Sequence, residues 1–375
     1  MPMPISRRAF AGVIGFAAGA ALLDKPLVRA ATDRRPQREG AIRLDSNENP
    51  YGPSAKALAA LIAANPIANR YPDDAEETMR SALAKLHGVA SEQVVLGCGS
   101  SEILQMADLV STGPGRAAVA AEPTFEAVLH YARVLRADPV TVPLTSDFRH
   151  DLPKMAAACR TGAGLVYVCN PNNPTGTIVS GDELAGFVSN VPLGTTILID
   201  EAYFHFVEDQ TYRSAIELIP KHPNVVVART FSKIYGMAGL RLGYAVGAKD
   251  RIAEMAKYAT FSNANAAVLA AALASLQEPD LVARQRGLLN DTRRWLIAEM
   301  SRQGRKTIAS HTNFVMIDVG GDVKPVIEAF RERNILVGRK FPSLPNWLRI
   351  TIGLPDEVKA FAAALLEIVP SKAAA

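Results

Sequence analysis

Short apolar runs alternate with helical segments through the middle of this chain, and this alternation is the strongest constraint on its fold. The runs 117–121, 164–169 and 195–199 are separated by segments of helical periodicity, and each run ends at polar or turn-forming residues. Strands buried on both faces have continuous apolar sequences, so the pattern predicts a parallel sheet with helices on both sides. Ligands bind at the carboxyl ends of such strands, which makes the polar residues there the candidate site.

Other elements are predicted from periodicity and from capping residues. Gly88 is expected to end a helix. The turn-forming segment 42–53 is expected to contain no regular element. Further strands are predicted at 93–96, 139–143, 224–228, 313–319 and 347–352, and helices at 54–64, 76–87, 126–135, 181–188, 288–300 and 323–333.

Composition and charge exclude several function classes. The 375 residues suffice for two domains, and the apolar and charged fractions, 49% and 21%, are those of an ordinary globular protein. A net charge of +4 without a long basic run gives no reason to expect nucleic-acid binding. The three cysteines, at 98, 159 and 169, lack metal-ligand spacing, so no metal is expected, and their odd number argues against a disulfide framework.

One lysine and one arginine stand among small and apolar residues in segment 230–244, TFSKIYGMAGLRLGY. An apolar site disfavours a charged ammonium, so Lys233 can present a neutral amine that forms a Schiff base with an aldehyde. The hydroxyls of Thr230 and Ser232 and the guanidinium of Arg241 are groups that a phosphate monoester would bind. The alternative is a segment whose lysine and arginine point to solvent.

A second candidate anion site follows the predicted strand 93–96. The sequence GCGSSE at 97–102 opens a helix that is predicted to run to Val110. Gly99, Ser100 and Ser101 would place backbone N–H groups and hydroxyls at the helix N-terminus, where the helix dipole also favours an anion.

Together these segments resemble the fold-type I pyridoxal-phosphate enzymes, in particular the histidinol-phosphate aminotransferase family of the class I/II aminotransferases. The resemblance extends from about residue 42 to the end of the chain and rests on motifs in the family's order, namely NENPYG at 47–52, GCGSSE at 97–102, NPNNPTG at 170–176, DEAY at 200–203 and SKIYGMAGLRLG at 232–243. It implies an α/β fold with a large, doubly wound, mostly parallel-sheet domain and a smaller α/β C-terminal domain. The expected boundaries are an N-terminal arm at 32–70, the large domain at 71–260 and the small domain at 261–375.

The resemblance also implies cofactor contacts. Lys233 would bind pyridoxal 5'-phosphate covalently, be displaced by the substrate amine and then move a proton. Asp200 would pair with the pyridine nitrogen, and Tyr203 would bond the phenolic oxygen. Tyr71 would reach the cofactor phosphate of a partner subunit, which implies a homodimer. The remaining expected contacts to the phosphate, the ring face and the phenolic oxygen are Gly99, Ser100, Ser101, Phe125, Asn173, Thr230, Ser232 and Arg241.

Substrate contacts are implied in the same way. The NENPYG segment, with Asn49, would lie across the active site, and Asn173 would take part in substrate binding. Arg349 stands in the apolar strand 347–352, where a guanidinium needs an anionic partner, and the resemblance supplies the substrate carboxylate. Arg339 is the second candidate for that carboxylate.

The expected activity is transfer of an amino group between an amino acid, or a histidinol-phosphate-like amine, and a 2-oxo acid. Segment 258–263, YATFSN, lacks the Pro-Tyr or Pro-Phe of family members that use histidinol phosphate. A lyase, decarboxylase or racemase would use the same Lys233 and Asp200. A non-enzymatic binding module is disfavoured because the residues that the cofactor chemistry needs are all present: Lys233, Asp200, Tyr203, Asn173 and Arg241.

The N-terminus has the pattern of an export signal. Arg7 and Arg8 precede the uncharged run 11–23 and the small pair Ala30 and Ala31. The pattern is typical of a twin-arginine signal peptide at 1–31, and the run is short of the roughly 20 apolar residues that a membrane span needs. It predicts a periplasmic protein, with an uncleaved membrane anchor as the alternative.

Overall fold

A seven-stranded sheet forms the centre of the computed structural model, which describes residues 40–370. Its strands are β2 (Val94–Gly97), β3 (Ala117–Glu122), β4 (Pro139–Pro143), β5 (Ala163–Cys169), β6 (Thr196–Asp200), β7 (Val225–Thr230) and β8 (Gly243–Gly247). They lie in the order β2-β8-β7-β6-β5-β3-β4. Strand β8 is antiparallel to both of its neighbours, and the other pairs are parallel. The expected mostly parallel sheet is confirmed.

Two small sheets complete the strand pairing. Strand β1 (Ile42–Leu44) is parallel to β10 (Ile335–Val337), and β9 (Phe314–Asp318) is antiparallel to β11 (Trp347–Thr351). The expectation that segment 42–53 contains no regular element is therefore wrong at its start. The three residues of β1 are extended because a strand near the other end of the chain pairs with them, and no local signal reveals that partner.

Eleven helices of the described chain surround these sheets: α1 (Ala55–Ala63), α2 (Asp73–His87), α3 (Ser100–Ser111), α4 (Ala127–Val134), α5 (Leu152–Cys159), α6 (Gly181–Asn190), α7 (Lys249–Ala256), α8 (Ala266–Leu276), α9 (Leu281–Arg302), α10 (Val323–Glu332) and α11 (Pro355–Ile368). Capping residues explain where several of these helices begin or end. The Ser54 side chain accepts from the N–H of Ala57 at the start of α1. Gly88 ends α2 in the left-handed conformation at φ 65°, as its sequence position predicts.

The core lies on both faces of the large sheet. Strand β5 is buried along its whole length, and its successive side chains enter two different apolar clusters. Val166 and Val168 belong to one cluster, whereas Leu165 and Tyr167 belong to the other. Burial on both faces leaves the strand ends as the part of the sheet where polar groups can gather.

The structure also bears on membrane spans, metal sites and domain boundaries. Among residues 40–370 no single helix has the length and apolar character to cross a membrane, and the pair α8 and α9, which passes that test jointly, is bent by 87°. In the same range no group of three or more His, Cys, Asp or Glu side chains could hold a metal ion. The twin-arginine segment 1–31 lies outside the described residues, and the boundaries at 70 and 260 stay predictions.

Candidate active site

The carboxyl ends of β5, β6 and β7 bring the central motifs together. Cys169 pairs with Asp200, and Asp200 pairs with Ala228, so the three strands end at one edge of the sheet. The loops that follow contain Asn173, Tyr203 and Lys233. The site predicted at these strand ends therefore exists as a single cluster of polar side chains.

Lys233 is half-buried, and its environment favours the neutral amine. Its Nζ donates a hydrogen bond of 3.0 Å to the backbone carbonyl of Asn47. Burial, and to a smaller degree the positive charge of Arg349, lower the pKa of Lys233 to about 8, although the carboxylates of Glu48 and Asp200 oppose that shift. An amine with this pKa is a competent nucleophile near neutral pH.

Asp200 is a buried carboxylate with only 3% of its surface exposed. The Tyr167 hydroxyl donates to Oδ2 at 2.8 Å, and the N–H of Ala202 donates to Oδ1 at 3.0 Å. Burial raises the pKa of Asp200, and these two donors and the charge of Lys233 counteract the increase. A carboxylate held in this way suits a cationic partner such as a protonated pyridine nitrogen.

Tyr203 lies beside Lys233, with the lysine Nζ 5.6 Å from the centre of the tyrosine ring. Its ring packs edge-on against Phe314 at 5.2 Å between centroids. Its hydroxyl accepts a hydrogen bond of 3.1 Å from Nδ2 of Asn47. One lone pair of the phenol is therefore occupied by the protein, and its O–H remains able to donate.

The predicted phosphate cup forms at the N-terminus of α3. Gly99, at φ 77°, is so close to Arg241 that a β-carbon on it would lie 2.0 Å from Nη2 of the guanidinium. Arg241 Nη1 donates to the Ser232 hydroxyl at 3.3 Å and to the Ala238 carbonyl at 2.9 Å. A β-carbon on Gly243 would lie 2.2 Å from the backbone nitrogen of Ser100. Two glycines thus let an arginine, a serine hydroxyl and a helix N-terminus share one cradle.

This cradle fits the phosphate of pyridoxal phosphate. The first N–H groups of a helix lack partners within the helix, and the dipole adds positive potential where Ser100 and Ser101 begin α3. Thr230 contacts the same group of residues, because its Oγ1 accepts from the Ser232 N–H at 3.0 Å. The expected phosphate contacts in this chain are therefore adjacent, and they lie near Asp200, the last residue of β6, and Lys233, which follows β7.

Arg349 is a cation that forms no salt bridge with the carboxylates of the described chain. Its Nη1 donates to Oδ1 of Asn173 at 2.8 Å and its Nη2 donates to the Asp45 carbonyl at 2.8 Å. Its Nε is buried and has no hydrogen-bond partner. Burial lowers the pKa of Arg349 to about 10, which still leaves it charged at neutral pH. An unmatched guanidinium next to Asn173 fits a substrate carboxylate.

Two expected substrate contacts have other partners in the structure. The Asn49 carboxamide is fully engaged, because Nδ2 donates to the Ile234 carbonyl at 3.0 Å and to Gln285 at 3.2 Å, while Oδ1 accepts from the Tyr51 N–H at 3.0 Å. Arg339 forms an ion pair of 2.8 Å with Glu126.

Arg339 nevertheless lies near the site. Its guanidinium is 4.4 Å from the centre of the Phe341 ring, and that of Arg349 is 5.3 Å from the same ring. Phe125, the expected stacking residue, follows the end of β3 and is 38% exposed. Tyr71 is 84% exposed, so its side chain is not buried in the site of its own chain.

Sequence reasoning missed Asn47 and Tyr167, which contact predicted residues, and Thr351, which contacts Asn47. Tyr167 carries the one hydroxyl in the apolar strand β5, and a buried hydroxyl needs a partner, so its position beside β6 was a usable signal. Asn47 belongs to the NENPYG motif, but its contact with Thr351 of β11 cannot be read from local sequence.

A separate surface cleft of about 400 Å³ is lined by charged residues that include Glu208, Arg213 and Arg286. None of the predicted site residues lines it. Its open, charged character contrasts with the buried polar cluster at the strand ends, and the chemistry described above belongs to that cluster.

Comparison with known proteins agrees with this geometry. The chain is 38% identical over 347 residues to the histidinol-phosphate aminotransferase of Symbiobacterium thermophilum, covering 91% of this chain and 95% of that protein. It is 40% identical over 324 residues to an aromatic amino acid aminotransferase of Mycobacteroides abscessus, covering 86% and 91%. The crystal structure of histidinol-phosphate aminotransferase from Sinorhizobium meliloti in complex with pyridoxal-5'-phosphate has a TM-score of 0.83 at 28% identity, covering 88% and 91%.

The family model described as aminotransferase class I and II matches residues 39–365, which is nearly all of the described chain. The sequence relatives and the structural neighbour agree with this match, and the chain belongs to the class I and II aminotransferases, which depend on pyridoxal phosphate.

Proposed function

We propose that this aminotransferase takes its amino group from an α-amino acid with an aromatic side chain and passes it to a 2-oxo acid. The observation that carries the proposal is Arg349, a largely buried guanidinium that bonds Asn173 at 2.8 Å and has an unpartnered Nε. Both an α-amino acid and a 2-oxo acid present a carboxylate to such a group. Phe341 lies 5.3 Å from the same guanidinium, which offers an aromatic side chain a surface beside the carboxylate.

Two further observations support the choice of substrate. The relative from Mycobacteroides abscessus, 40% identical, is an aromatic amino acid aminotransferase. Segment 258–263 lacks the Pro-Tyr or Pro-Phe described above, and Phe261 within it is 98% exposed. Histidinol phosphate is therefore the second candidate substrate, favoured by the relative from Symbiobacterium thermophilum.

Each residue of the site has a role in this reaction. When bound, pyridoxal phosphate supplies an aldehyde that exchanges amines and a ring that accepts electrons. Lys233 would hold the cofactor and, once released, its amine moves the proton at the substrate carbon. Asp200 would pair with the ring nitrogen and favour its protonated form, because a buried carboxylate, 3% exposed, stabilises a cation beside it. Arg349 and Asn173 orient the carboxylate, which fixes the bond that reacts.

The test is a screen of amino donors and 2-oxo acceptors with the purified protein. We expect turnover of aromatic amino acids that requires a 2-oxo acid, and no turnover by Lys233→Ala, which also loses the absorbance of the cofactor–lysine linkage. More efficient turnover of histidinol phosphate than of any α-amino acid would overturn the proposed substrate. Product formation without a 2-oxo acid, with release of carbon dioxide or ammonia, would instead identify a decarboxylase or lyase.

We also propose that the active unit is a homodimer. Several apolar or aromatic side chains on or near the segment that precedes α2 are exposed: Ile62 by 64%, Ile67 by 53% and Tyr71 by 84%. Such exposure favours burial against another surface. In the resembling family, the residue matching Tyr71 reaches the cofactor phosphate of the partner subunit.

Hybrid dimers test this arrangement. Lys233→Ala and Tyr71→Ala should each lose activity alone, and mixed dimers should regain activity, because one of the two sites then carries neither change. The control is a mixed dimer of Lys233→Ala and Asp200→Ala subunits. Lys233 and Asp200 each act in the site of their own subunit, so both sites of this dimer carry one change and activity should not recover. A monomer by sedimentation would contradict the proposal.

Finally, we propose export by the twin-arginine route, supported by Arg7 and Arg8 before the uncharged run 11–23. Changing both arginines to lysine should leave the full-length precursor in the cytoplasm, because the export receptor reads the pair as an address rather than as charge. Unchanged periplasmic activity of the double variant would mean that another route is used.

A further inference from the structure

Asn47 occupies an unusual backbone conformation at the centre of the active site. It is 2% exposed and has φ 54°, in the left-handed region that asparagine tolerates better than most residues. Its backbone is held from three sides. The N–H donates to Thr351 Oγ1 at 2.8 Å, and the carbonyl accepts from Lys233 Nζ at 3.0 Å and from Asn313 Nδ2 at 3.1 Å.

The orientation of the Asn47 carboxamide follows from these contacts. The Thr351 oxygen already accepts the Asn47 N–H, so its own hydrogen is free to be donated to Oδ1 of Asn47, 3.2 Å away. The amide NH₂ therefore faces Tyr203 and donates to its hydroxyl oxygen at 3.1 Å. Tyr203 is the acceptor in this bond, and its hydrogen must be donated elsewhere.

A hydrogen bond received by a hydroxyl makes that hydroxyl a stronger donor. Burial raises the pKa of Tyr203, and the bond from Asn47 counteracts this increase. In a buried site, where solvent does not compete, the acidity of a phenol depends strongly on such a neighbour. The carboxamide can thus influence any group to which Tyr203 donates.

We infer that Asn47 is a positioning residue whose carboxamide strengthens the hydrogen bond from Tyr203 to the phenolic oxygen of the cofactor, and so sets the protonation equilibrium of the cofactor–lysine linkage. The inference rests on the proposed function, in which Tyr203 contacts that oxygen and Lys233 forms the linkage. Weaker donation by Tyr203 stabilises the deprotonated oxygen less, so the linkage keeps its proton to higher pH.

The test is the visible absorbance of the loaded full-length protein as a function of pH, in Asn47→Gly and matched controls. Glycine tolerates the positive φ and keeps the backbone carbonyl, so this variant removes only the side chain. We expect the absorbance midpoint to rise by about half to one pH unit, the equivalent of one neutral hydrogen bond. Asn47→Asp should raise it further, because it adds a negative charge and cannot donate. Asn334→Gly, at φ 61° between α10 and β10, should leave it unchanged.

A second set of variants separates this role from a structural one. Thr351→Val removes the hydroxyl that orients the carboxamide and should shift the midpoint in the same direction by less. In a Tyr203→Phe background, Asn47→Gly should produce no further shift, since the contact it alters is already gone. A lower melting temperature of Asn47→Gly with an unchanged midpoint would overturn the inference and leave Asn47 as an anchor of the arm.

Failure of the inference and of the proposed function are distinguishable. If Tyr203→Phe moves the midpoint and Asn47→Gly does not, the inference alone is overturned. If Tyr203→Phe leaves the midpoint unchanged, the proposed role of Tyr203 fails and the inference fails with it. A wild-type protein that binds no cofactor would contradict the proposed function itself.

Discussion

The guanidinium of Arg349 donates to the Asn173 carboxamide at 2.8 Å, although the two residues are 176 positions apart. Arg349→Lys should lower catalytic efficiency with an α-amino acid, because lysine cannot form two parallel bonds to a carboxylate. The loss of transition-state stabilisation should be about 2 to 4 kcal/mol. Steady-state kinetics measure this loss, with Arg331→Lys as the control, since Arg331 pairs with Glu328 within α10 and is not among the site residues. Equal losses with an α-amino acid and with a simple amine would make Arg349 a structural residue.

Asp200 should matter more for turnover than for cofactor retention. The phosphate cradle around Arg241 is separate from the carboxylate, so Asp200→Ala should still bind pyridoxal phosphate and yet lose turnover by about 100-fold or more. Tyr167→Phe removes one of the two donors to Asp200 and should cost less. Cofactor content and turnover are measured on the same preparation. Near-normal turnover of Asp200→Ala would contradict the assigned pairing.

Two glycines of β8 provide a matched test of the phosphate cradle. A β-carbon on Gly243 would lie 2.2 Å from the Ser100 nitrogen, whereas one on Gly247 would contact only side-chain atoms, of Ile252 at 3.2 Å and of Val226 at 3.4 Å. Gly243→Ala should therefore displace the start of α3 and weaken cofactor binding by about tenfold or more, and Gly247→Ala should not. Titration of cofactor-free protein with pyridoxal phosphate measures both. Equal affinities of the two variants for pyridoxal phosphate would mean that the phosphate binds outside this cradle.

Capture of pyridoxal phosphate by the cofactor-free protein should depend on the protonation of Lys233. Burial and the charge of Arg349 lower its pKa to about 8, below the usual value for lysine. Only the neutral amine attacks an aldehyde, so the capture rate should rise about tenfold per pH unit below 8 and level off above it. Stopped-flow absorbance measures the rate. In Arg349→Met the plateau should move to higher pH, and a rate still rising at pH 10 in the wild type would contradict the lowered pKa.

The strand-end site could be predicted because burial on both faces has a clear sequence pattern. Strand β4 has the predicted bounds, and β6 ends at Asp200 one residue beyond the predicted strand. Strand β8 was not predicted, because it is antiparallel and follows the lysine segment directly, where Gly243 and Gly247 resemble loop residues. These two positions are glycines because Gly243 packs against α3 and Gly247 packs against α7. Only the folded structure reveals these neighbours.

The NENPYG motif shows where sequence reasoning ends. Its two asparagines, Asn47 and Asn49, are equivalent as residue types, and the resemblance implies a substrate contact for Asn49 alone. In the structure Asn49 bonds Ile234 and Gln285, whereas Asn47 bonds Tyr203 and Lys233. The difference comes from one positive φ at Asn47 and a contact with Thr351, and neither feature is encoded locally.

The bond between Asn47 and Thr351 closes a loop of 304 positions. The entropy lost in such a closure rises only with the logarithm of loop length, so a long loop can close, but it cannot do so before both of its ends exist. A growing chain that stops short of β11 already has Lys233, Asp200 and the phosphate cradle, yet it lacks the residue that secures Asn47. The segment that carries the acceptor of Lys233 is therefore held by all of its partners only when synthesis is nearly complete.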